Sequence, residues 1–77
     1  MEEKLAKYFE QELTYTRVGL LNETDPAERN RICWYAMQRG LGATQFAQMC
    51  GARYLDVESM FEQYKAMLER MCNNEVL

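Results

Sequence analysis

From Val57 to Met71 the apolar residues fall at Val57, Met60, Tyr64, Met67 and Met71, in alternating steps of three and four, with Phe61 and Leu68 broadening the seam. That spacing lines one face of a helix over residues 55–73. An amphipathic helix of this length cannot cover its own apolar stripe, so other helices must pack on it. A chain of 77 residues hides only about 60–65% of the surface its unfolded form exposes, which leaves a thin margin of stability. The expectation is one all-α domain over residues 1–77, built round this seam.

The remaining helices follow from pattern and punctuation. Leu5, Tyr8, Phe9 and Leu13 share one face of a helix over residues 2–14. Residues 14–21 mix β-branched, aromatic and glycine residues, which fits extended chain or a helix continuing to Gly19, and are read as a connector anchored by Val18, Leu20 and Leu21. In Asp25-Pro26-Ala27-Glu28, Asp25 can cap the free backbone N–H groups, Pro26 suits the first helical position, and Glu28 can return a capping-box contact. The helix so begun passes through Ile32, Cys33, Ala36 and Met37, widened by Trp34 and Tyr35, and is expected to stop at Gly40. A short helix over 44–50 closes at Gly51, and Asn73-Asn74 ends the last helix ahead of a frayed tail. The reading is therefore a compact bundle of about four helices: 2–14, 26–39, 44–50 and 55–73.

Composition narrows the function. The chain has no histidine, and no two of Cys33, Cys50 and Cys72 lie close enough for zinc-ligand spacing, so no metal site is expected. Three cysteines cannot all pair within one chain, and Met1-Glu2-Glu3-Lys4 opens a charged segment unlike a signal peptide. A reducing cytoplasm is the expected compartment, with Cys33 and Cys50 as buried apolar filler and Cys72 nearer the surface. No apolar run is long enough to span a membrane. A nucleophile with a base beside it and a glycine-rich phosphate loop are both missing, so neither catalysis nor a small-molecule substrate or cofactor is expected. Binding a macromolecule is what remains.

Charge and aromatic residues suggest where. Residues 29–53 carry Arg29, Arg31, Arg39 and Arg53 and no acid, whereas both flanking segments are acidic. Tyr8, Phe9, Trp34, Phe46, Phe61 and Tyr64 lie on apolar faces and read as core, leaving Tyr15 and Tyr54 as surface anchors. Six methionines suit gap-filling in a small core or an adaptable partner surface, and Met37 and Met60 are read as core. Tyr64, Met67 and Met71 form the candidate surface for a homodimer, against the competing arrangement in which the first helix folds back over them.

Residues 43–62, ATQFAQMCGARYLDVESMFE, resemble the helix-turn-helix of phage Cro and repressor proteins. Ala47 stands where the two helices touch, Gly51 stands at the turn, and Phe46, Cys50, Ala52, Val57 and Met60 fill the apolar positions. The resemblance implies a transcriptional or phage-type regulator that contacts DNA as a dimer, with Arg31, Arg39, Thr44, Gln45, Arg53, Tyr54 and Ser59 as candidate contacts. The sequence departs from that pattern at Asp56, Glu58 and Glu62, three carboxylates on the helix that would enter the groove. They support the alternative: an acidic inhibitor or adaptor that binds a protein, including one that itself binds nucleic acid, through the last helix.

Overall fold

The computed structural model describes residues 1–74, which form three helices, α1 (Glu2–Leu21), α2 (Pro26–Met49) and α3 (Tyr54–Cys72). None of them is long and apolar enough to cross a membrane. The tail expected after Asn74 lies outside the described residues.

α1 does not stop at residue 14. Its inward stripe runs Leu5, Phe9, Thr16, Leu20, so Thr16 and Leu20 extend the helical register through the expected connector. Thr14 is drawn into the helix by its own hydroxyl, which donates to the Glu10 carbonyl at 3.1 Å. Of the three expected anchors only Leu20 is buried; Val18 and Leu21 are exposed, because they point away from that stripe.

α2 begins as the sequence indicates, with Pro26 in the first turn and the Asp25 carboxylate accepting from the Ala27 N–H at 3.2 Å. The reciprocal contact comes from the other side: Glu23, not Glu28, accepts from the Asp25 N–H at 3.0 Å. Glu28 pairs with Arg31 instead. The expected break at residues 40–43 is absent, and α2 continues to Met49. Gly40 is buried inside the helix because the Tyr64 ring of α3 packs against its backbone, and a Cβ there would overlap that ring. One turn on, the buried Thr44 hydroxyl donates to the Gly40 and Leu41 carbonyls, both at 2.8 Å. The inward stripe of α2 is thus Ala36, Gly40, Thr44 and Ala47, all small, which lets both neighbouring helices approach closely.

The α2–α3 turn is a Schellman motif: Gly51, at φ +93°, donates to the Gln48 carbonyl and Ala52 to the Ala47 carbonyl, each at 3.0 Å. α3 then runs back along α2. The residue that precedes α3 meets the start of α1, where the Glu2 carboxylate accepts from the Arg53 N–H at 3.1 Å. That bond is the main cause holding the Glu2 carboxyl below its ordinary value.

Cys33 and Cys72 are joined by a disulfide with Cα atoms 6.4 Å apart, and Cys50 is free and exposed. This corrects the expectation that Cys33 and Cys50 are unpaired core residues. Cys33 and Cys72 lie about 24 Å and about 27 Å along their helices from the turn, so the two helices must lie side by side from the turn to the disulfide. A helix-turn-helix crosses at roughly 90–120°; the α2–α3 pair is an antiparallel hairpin. α1 packs antiparallel to α2, with Glu12 bonded to Arg39 and Gly19 beside Ile32, and parallel to α3, with Phe9 stacked on Tyr64 at 4.6 Å.

The core follows from this arrangement. Val57, Tyr64, Leu68 and Met71 of α3 are buried against Leu5, Phe9 and Leu20 of α1 and Ala36 and Ala47 of α2, with Met67 partly buried beside them. Tyr64 and Met71, expected as part of a dimer surface, are only 2% and 0% exposed within the single chain. It is α1 that folds back over them.

Two glycines two residues apart should respond oppositely. Gly40→Ala forces a Cβ into the Tyr64 ring and is expected to cost about 1–3 kcal/mol. Gly42→Ala meets nothing within 4 Å in an exposed helix interior and should stabilise by about 0.5–1 kcal/mol. Urea unfolding of both variants checks the signs. The disulfide closes a long loop, and Cys33→Ser or reduction should lower stability by about 2–4 kcal/mol without changing helix content at low temperature.

Candidate functional site

The seam between α2 and α3 gathers several of the residues singled out from the sequence. At the turn end, Leu41, Gln45 and Gln48 of α2 face Tyr54, Glu58, Phe61 and Glu62 of α3 across an open concavity of about 270 Å³. Positions 41, 45 and 48 share one helical face, as do 54, 58, 61 and 62. The antiparallel hairpin brings these two faces together. Glu58 and Glu62 are exposed and make no ion pair among the described residues. Phe61 and Leu41 supply an apolar floor beside them.

The residues singled out from sequence separate into groups. Gln45, Tyr54, Glu58 and Glu62 do meet in this concavity, together with Thr44, although the Thr44 hydroxyl is turned to its own helix. Ser59 is exposed but is not part of that lining. Asp56 pairs with Arg53 at 3.6 Å. Arg31 sits about 21 Å along α2 from Gln45, close to Glu28 at 3.0 Å. Arg39 is on the opposite side of α2, where its Nε donates to Glu12 at 2.8 Å and its guanidinium lies 5.8 Å from the Tyr15 ring centre.

The basic central third is therefore largely engaged within the chain. Arg29, counted from sequence only as part of that block, does the most. Its guanidinium donates to the carbonyls of Leu20 at 2.6 Å and Glu23 at 3.1 Å and to the Asn74 side chain at 2.6 Å, fastening the ends of α1 and α3 to the start of α2. Such charge-assisted bonds to helix-terminal carbonyls are among the stronger ones available to a surface side chain.

Two large aromatics expected in the core are exposed instead: Trp34 at 58% and Phe46 at 62%. The small inward stripe of α2 turns them outward. Trp34 joins Asn30, Cys33, Met37, Leu68 and Glu69 around a second concavity of about 360 Å³, on the same α2–α3 seam at the disulfide end. Leu41, Gln48 and Phe61 went unnoticed as site residues because their significance lies in cross-helix pairing, which a one-dimensional pattern does not reveal. The largest concavity, about 630 Å³, is lined by α1 residues alone, including Lys7, Tyr15 and Val18, and no second element shapes it. Among the described residues no cluster of three metal-ligating side chains occurs.

Beneath the site, Tyr64 locks the hairpin: its hydroxyl donates to the Ala36 carbonyl at 2.7 Å. Burial, then the neighbouring Glu12 charge, pushes its pKa well above the ordinary tyrosine value of 10.0. Tyr8 is raised too, first by burial and then by Glu12. In the chain compared with family models, characterised proteins and solved structures, no match is found.

A raised phenol pKa means that the folded state favours the neutral ring. Its contribution is complete below about pH 10 and is lost as pH climbs through the higher folded value. Unfolding free energy should thus fall steeply above about pH 10 in the wild type. Tyr64→Phe should cost about 1 kcal/mol at pH 7 and show a shallower alkaline fall. Parallel curves for the two proteins would contradict this role for Tyr64.

Proposed function

We propose that the protein works by binding another protein, as a small acidic adaptor or inhibitor, and not by catalysis. The observation that carries the reading is the meeting of Glu58 and Glu62 with Leu41, Tyr54 and Phe61 in one open concavity. Unpaired carboxylates beside an apolar floor suit a protein surface that brings apolar anchors and basic residues together. A partner that itself binds nucleic acid has such a surface.

The duplex-binding reading has less support. Affinity for DNA comes chiefly from neutralising phosphates, and Arg29, Arg39, Arg31 and Arg53 already have acceptors in the chain. A duplex approaching α3 would meet Asp56, Glu58 and Glu62. A side-by-side hairpin also lacks the splayed second helix that a major groove accepts.

A photo-crosslinking residue at Gln45, in cells that make the protein, should give a discrete protein adduct that Glu58→Lys with Glu62→Lys removes. The same residue at Gln11, on the outer face of α1, should give none. In parallel, anisotropy of a labelled random duplex should show no saturable binding at about 0.15 M salt. Salt-sensitive duplex binding that Arg53→Ala weakens would overturn the reading.

A further inference from the structure

We propose that the partner element is a basic amphipathic helix, laid along the whole α2–α3 seam as the fourth member of a four-helix bundle. The inference rests on the protein-binding reading above and specifies its occupant.

The two concavities described separately lie in line on one seam. On α2 the lining runs from Asn30 through Trp34, Met37, Leu41 and Gln45 to Gln48, steps of three and four that keep one helical face. That run of nineteen residues is about 27 Å long, or five helical turns. A groove of constant direction between two antiparallel helices accepts a third rod more readily than an irregular loop, because apolar side chains at helical spacing can fill it in sequence. The floor is apolar at both ends, with Trp34, Met37 and Leu68 at one and Leu41 and Phe61 at the other.

The two banks of the groove differ in charge, and that difference defines the occupant. The α2 bank holds no charged side chain, only Asn30, Gln45 and Gln48 beside the apolar residues. The α3 bank holds Glu58, Glu62 and Glu69, all exposed. Lys65 falls on the same face of α3, three residues after Glu62 and four before Glu69, so the bank is net acidic, with its strongest negative charge at Glu58 and Glu62. A complementary helix therefore has an apolar stripe, a row of Lys or Arg on the edge beside α3, and uncharged polar residues on the edge beside α2. Charge on one bank only also fixes which way the helix can be rolled about its axis.

Trp34 is the only tryptophan in the chain and half-exposed in the groove, so its emission reports occupancy directly. The probe is an eighteen-residue, tryptophan-free peptide with leucine at helical spacing and lysine along one edge. Two controls have glutamate replacing lysine, or the same composition scrambled so that no apolar face forms. Saturable binding with a blue shift of Trp34 is expected for the Leu/Lys peptide alone. Glu58→Lys with Glu62→Lys should weaken it by about tenfold or more. The charge-matched Glu3→Lys with Glu10→Lys, on the exposed outer side of α1, should change it less than about twofold. Circular dichroism of each variant confirms that the bundle is retained. No Trp34 response, equal binding of either control peptide, or equal loss in both charge-reversal pairs overturns the proposal. If the Gln45 adduct forms while the peptide fails, the protein-binding reading stands and the helical occupant is wrong; if the adduct is also missing, both fall.

Discussion

The packing of the Tyr64 ring against the Gly40 backbone is the contact from which the architecture follows. It requires a residue without a side chain at that point of α2, it carries the hydroxyl to the Ala36 carbonyl, and it stacks on Phe9 of α1. One side chain thus holds all three helices at mid-length. Because the ring supports the helix from below, α2 passes through Gly40-Leu41-Gly42 without a break despite two residues of poor helical propensity. The hairpin's direction is fixed at its ends by the Gly51 turn and the Cys33–Cys72 bond.

Small residues on α2 have a second effect, on the surface. When Ala36, Gly40, Thr44 and Ala47 occupy the inward face, the bulky residues of α2 are left to its flanks. Trp34, Tyr35, Leu41 and Phe46 become exposed, and the seam with α3 gains an apolar floor. Core geometry and binding surface are in this sense one choice: close helix packing inside is matched by unpartnered apolar area outside, of the kind that marks interaction sites. A chain this small gains from the disulfide and from Arg29 at the far end, which join helix termini that its limited core would hold weakly.

Much of this was legible in the sequence where periodicity and caps carry the information. The α3 stripe from Val57 to Met71, the Asp25-Pro26 start of α2, the Gly51 turn and the Asn73-Asn74 stop all have local causes, and all stand. The sequence left the continuation of α1 beyond residue 14 open between helix and extended chain, because a buried threonine at position 16 does not register in an apolar pattern. The unbroken α2 was hidden because glycine ordinarily ends helices, and only a distant tyrosine explains it. Of the site, the Glu58 and Glu62 stripe could be read directly. Its apolar companions Leu41 and Phe61 could not, since they meet across two helices, and the arginines looked free because their acceptors, Glu12, Leu20 and Glu23, lie far away in sequence.

The central claim is that α2 is one helix whose midpoint is packed under Tyr64, making α2 and α3 an antiparallel pair with two concavities in line along their seam. Nuclear Overhauser spectroscopy tests it most directly. The account predicts an unbroken series of sequential helical contacts from Pro26 to Met49. It also predicts strong cross-peaks between the Gly40 α-protons and the Tyr64 ring. A gap in the helical contacts at residues 40–43, with no Gly40–Tyr64 cross-peak, would contradict it.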